Sequence, residues 1–138
     1  MPRPVEKQPI AMPVESSVEA ETVPDAGVTT RLASLIAAAE AGDKAFEAQH
    51  VRTETAVAHS AGAEPGSDAW VEAQEAVTAL ESARTTVRDV AAKIDALRHD
   101  PANAAPGNRS AIDAAAARVG AIEAAQDKVV AALNARLG

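Results

Sequence analysis

Between Asp68 and Asp100 the apolar side chains recur as Trp70, Ala73, Val77, Leu80, Val87, Ala91 and Ile94. This alternating three-and-four spacing lines one side of an α-helix. It predicts a single helix over 68–99, about 45 Å long at the usual rise per residue. Two other stretches carry the same stripe. Leu32, Leu35, Ile36, Ala39, Phe46, His50, Thr53 and Val57 mark a helix over about 30–59, and Ile112, Ala115, Val119, Ile122, Val129 and Leu133 mark one over about 111–137. A one-sided apolar stripe is driven out of water, so each helix requires the others as partners.

The boundaries follow from local chemistry. Thr29 or Thr30 can cap the first helix through its hydroxyl. Gly42 falls in mid-helix, at a cost of about 1 kcal/mol relative to Ala, and the like-charged Asp43 and Glu47 follow one turn apart, so a bend or break is expected there. Gly62, Pro65 and Gly66 make residues 60–66 a loop. Pro101 ends the second helix, with Arg98 and His99 suited to its negative end. The third opens on Ser110 and Asp113, the spacing of a capping box. Its connection to the second is too short to return along a helix of that length, so the two run antiparallel. The fold expected is all-α: an elongated antiparallel three-helix bundle, coiled-coil-like, over residues 29–138. The alternative is a hairpin of the second and third helices that dimerises into four, with the first outside.

Residues 1–28 read differently. Five of the eight prolines lie here, with Glu6, Glu15, Glu19, Glu21 and Asp25 against Arg3 and Lys7. Such composition describes a flexible, extended, acidic tail, which could also dock on a partner through its valines and Ile10. The opening residues lack the apolar core of a signal peptide, and no run reaches the roughly 18 apolar residues of a spanning helix. The chain is therefore expected in the cytoplasm, or incorporated in a virion or other particle, without membrane insertion.

Composition narrows the function. Of 138 residues 36 are Ala, whereas from Thr29 onward there are 6 Leu, 4 Ile, 9 Val, one Phe and one Trp. Alanine favours helix but buries little area, so the helices are strong and the core is thin. A deep small-molecule pocket is not expected in so slender a fold. The formal net charge of −7 and the absence of any Lys/Arg run argue against nucleic acid. There is no cysteine, no tyrosine and no glycine-rich phosphate loop, which leaves few groups for catalysis. No cofactor is expected.

Four side chains are candidates for a partner interface. Trp70 is the largest and lies in the first turn of its helix, where it either closes the end of the bundle near Val57 and Leu133 or anchors a partner. Arg84 is the one charge within the stripe and suits a pair across an interface. Val90 and Leu97 widen the apolar surface toward His99 and invite a third helix or an external partner. One motif points elsewhere. Glu47-Ala-Gln-His50 sets a carboxylate and an imidazole one turn apart, the arrangement by which ferritin-like proteins present ligands to a di-iron site. A full site would need a second such motif from a dimer mate, with Glu40, Glu72, Glu75 or Glu81 as extra ligands. The readings in order are a non-enzymatic helical interaction or assembly protein, a ferritin-like metal-binding oligomer using Glu47 and His50, and a helical holdase that grips apolar segments between its helices.

Overall fold

The computed structural model describes residues 23–137, and the part of the expected tail over 1–22 lies outside them. The described chain is all-helical, with no strand among these residues. Helix α1 spans Ala26–His59, α2 Asp68–Ser82, α3 Thr85–His99 and α4 Pro106–Leu137; a 3-10 turn, Pro101–Asn103, lies between α3 and α4.

Buried positions follow a seven-residue repeat on every helix. On α1 it runs Leu32, Ala39, Phe46, Thr53 and Ser60 into the cap. On α2 and α3 it is Ala73, Leu80, Val87 and Ile94, and on α4 Ile112, Val119, Gln126 and Leu133. Cross-links fix which way the helices run. Asp25 meets Asn108, Glu40 meets Arg118, Asp43 meets Gln126 and Glu54 meets Arg136, so numbers rise together on α1 and α4. Against α2 and α3 the sense reverses: Thr53 Oγ1 lies 3.1 Å from Ala76 O, while Gly42 faces Thr86 and Val87. The α3–α4 pairing is likewise reversed, Arg98 meeting Asp113 and Arg84 meeting Asp127.

Two expectations give way here. The helix expected over 68–99 is two, parted at Ala83 and Arg84, where the Arg84 amide donates to Glu81 O at 3.2 Å, a tighter i→i−3 bond. Ser82, Thr85 and Thr86 flank this point, and hydroxyl and β-branched residues hold a helix weakly. The buried repeat nevertheless passes through, because Val77 and Arg84, like Leu80 and Val87, stay seven residues apart and inside. At Gly42 the opposite happened. Helix α1 is continuous, and the glycine is buried: a Cβ there would meet Thr86 Cβ at 3.0 Å and Val87 Cγ2 at 3.3 Å. The glycine lets α3 approach α1 rather than breaking α1.

The helix starts also differ. α1 begins at Ala26, ahead of Thr29 and Thr30, and already buries Val28 in the core. Asp25 precedes it without a side-chain cap; its carboxylate instead accepts from Asn108 Nδ2 at 3.1 Å, and its amide donates to Asn108 Oδ1 at 2.8 Å. α4 begins at Pro106, a residue preformed for the first helical position, so Ser110 is inside the helix and caps nothing. Asp113 serves instead as acceptor for Arg98 Nε at 3.0 Å.

Candidate interaction surface

The interior is two apolar clusters. One gathers Leu32, Leu35, Val87, Val90, Ile94 and Ile112 with their neighbours; the other gathers Phe46, Val57, Val77, Leu80, Val130 and Leu133. A polar layer lies at the level of the α2–α3 break. Arg84 is only 6% exposed, with Nη1 donating to Asp127 Oδ1 and Nη2 to Glu123 O, each at 3.2 Å. Gln126, 1% exposed, donates from Nε2 to Asp43 Oδ1 at 3.1 Å. Arg84 Nε and Gln126 Oε1 have no protein partner. Buried polar atoms of this kind cost stability and favour one alignment of the helices over others.

This placement changes two of the interface candidates. Arg84 pairs within its own chain, and Val90 is 3% exposed inside the first cluster. The apolar surface that widens toward His99 is covered from within, Val28, Leu32 and Leu35 of α1 belonging to the same cluster, with Leu97 packed at its edge. Trp70 is half-buried beside a pocket of about 410 Å³ where α1 and α4 both end, with Val57, Ser60, Ala61, Arg136 and Leu137.

Around His50 the geometry spreads groups apart. Its Nδ1 lies 3.7 Å from Glu47 and its Nε2 3.4 Å from Glu54, so the two carboxylates address opposite edges of one ring, which stacks at a tilt 6.2 Å from Phe46. Glu54 also accepts from Arg136 at 2.7 Å, and that hydrogen bond holds its carboxyl below the ordinary range against a smaller opposing push from burial. Of the proposed extra ligands, Glu40 pairs with Arg118, Glu81 accepts from Asn134, and Glu72 and Glu75 face solvent. Among the described residues no three His, Asp or Glu side chains form a group that could hold a metal ion.

A different surface stands out. Between the N-terminal halves of α1 and α4 runs an open groove of about 400 Å³, floored by Leu32 and Ile36 on one side and Ala111 and Ala115 on the other. Ala33 and Ala114 form its walls, Pro24 lies at one end, and Arg118, paired with Glu40, lies at the other. Its lining is mostly apolar because the residues there are mostly alanine, whose small side chains leave a trough where larger ones would fill it. A run of small residues such as Ala114–Ala117 admits a neighbouring backbone, but the groove exists only once α1 and α4 are known to lie side by side and parallel. The chain matches no protein-family model, no curated protein and no solved structure.

Proposed function

We propose that the chain is a non-enzymatic interaction or assembly module, an elongated antiparallel three-helix bundle that works by contacting protein. The α2–α3 pair acts as one interrupted arm between α1 and α4. The seven-residue repeat of buried positions supports coiled-coil-like packing, since such a repeat keeps each apolar seam facing its neighbours. The cross-links that rise together on α1 and α4 and in reverse against α2 and α3 support the up-down-up course.

The observation that carries the functional reading is the groove between α1 and α4. An apolar trough on an Ala-lined helix pair accepts an apolar side-chain row from a second protein surface, which buries area that the thin core does not supply. The test is a charge placed in the wall. Ala33 is exposed, so Ala33→Glu is tolerated by the fold but desolvates a carboxylate in any complex made there. Association, with further copies or with a second protein, is expected to weaken at least tenfold while helicity is unchanged; association unaffected by the charge would count against this surface.

A further inference from the structure

We propose that the pocket where α1 and α4 both end is a binding site for a small apolar carboxylate. Its volume is about 410 Å³, inside the range of about 300–1,000 Å³ usual for small-molecule sites, although the bundle is slender elsewhere. The loop that follows α1 shapes it, turning through Gly62 and Gly66, both at positive φ, to reach α2, whose first turn supplies Trp70. Its lining is of two kinds. Val57, Leu137 and the indole of Trp70 offer an apolar bed, and Arg136 is the one charged residue.

The hydrogen bonds around the pocket decide which polar end a ligand needs. Acceptors at the end of α1 are spent: Ala56 O, Ala58 O and Ser60 O accept from the amides of Ser60, Ala61 and Ala63, and Val57 O accepts from the Ser60 hydroxyl at 2.8 Å. The carbonyls that would repel an anion there are thereby capped. Donors are in surplus. Arg136 gives Nη1 to Glu54 at 2.7 Å, which holds the guanidinium in place, while its Nε and Nη2 meet no acceptor among the described residues. Neither the Trp70 indole N–H nor the Gly62 amide meets one among those residues. A carboxylate satisfies the guanidinium fork, and its apolar body lies on the ring of Trp70, whose N–H stands at the polar end. An amine would set a second cation beside Arg136, and an alcohol would leave the charge-assisted bond unmade. The pocket lies at the opposite end of α1 and α4 from the groove, so it stands or falls apart from the reading given above.

Trp70 is its own reporter, since the chain has no other tryptophan and no tyrosine. Octanoate, kept below its micellar range, is titrated into the full chain while indole emission and the amide NMR signals are followed. Both are expected to change saturably with a Kd at or below about 1 mM, the amide shifts being confined to the ends of α1 and α4, the loop between α1 and α2, and the first turn of α2. Octylamine and octanol are expected to bind at least tenfold more weakly. Arg136→Gln, a change to an exposed side chain, should weaken octanoate at least tenfold with helicity unchanged. A response that does not saturate, amide shifts spread along the whole bundle, equal binding of octylamine or octanol, or an affinity that Arg136→Gln leaves unmoved overturns the proposal.

Discussion

Glu54 shows how one side chain couples the ends of two helices. It accepts from Arg136 at 2.7 Å, and this bond is the first cause of its lowered pKa. Because the folded value lies below the unfolded one, the pair's contribution is present above the ordinary carboxylate range and is lost as pH falls through the lowered value. Both partners are 46% exposed, so the contribution is small and screened by salt. Arg136→Gln should raise the Glu54 carboxyl toward the ordinary range in an NMR titration, with His50 still holding it down in part; an unmoved titration would show that Arg136 is not the main cause. Arg84 is the harder case. Its head pairs with an exposed Asp127 while its stem is buried, so much of what it gives is packing. Arg84→Ala should cost about 2–3 kcal/mol in urea unfolding, as for other large-to-small changes inside, whereas Arg84→Met should fall within about 1 kcal/mol of the parent or above it. Equal losses for both would mean the charge itself holds the layer. Nothing in the sequence marks Gln126 or Asn108 as anchors, because their partners, Asp43 and Asp25, lie 83 residues away.

Among the elements, the helices were legible and their interruptions were not. The three-and-four spacing recorded which residues turn inward, since burial is what imposes it. It could not record the break at Ala83 and Arg84, where the inward repeat continues undisturbed while the backbone tightens for a single turn. Gly42 misled for a related reason. Propensity assigns a mid-helix glycine a penalty, yet here tertiary contact outweighs it, because Thr86 and Val87 occupy the space a side chain would take. The prediction is opposite in sign to propensity: Gly42→Ala should destabilise by about 1 kcal/mol, the cost of overpacking exceeding the helical gain. Thr86→Ala in that background should recover part of the loss, with a coupling of about 0.5 kcal/mol or more in a double-mutant cycle. A stabilised Gly42→Ala would mean that α1 and α3 are not in close contact at that level. The starts of α1 and α4 were misplaced because the capping signals at Thr29, Thr30 and Ser110 were chemically sound but unused. Asp25 and Asn108 hold one another at those ends instead.

At the scale of the molecule, thinness is the governing property. Alanine gives long helices with little to bury, and the core splits into two clusters around a polar layer containing Arg84 and Gln126. The same small side chains leave the α1–α4 groove open on the outside. The all-helical class was legible from periodicity alone. The candidate surface was not, since it depends on which helices are neighbours; Val90 drew attention as an apolar residue and Arg84 as the one charge within the stripe, and both face inward. No helix among the described residues is long and apolar enough to cross a membrane. The proposed function lies on one face, the groove between α1 and α4, and the direct measurement is sedimentation velocity of the full chain over a wide concentration series, alone and with any protein that co-purifies. The sedimentation coefficient of the parent, or of its mixture, should rise with concentration, and Ala33→Glu should remain at the value of a single chain. A parent that stays at that value at the highest concentration, with no partner taken up, or one whose association Ala33→Glu leaves intact, would contradict it.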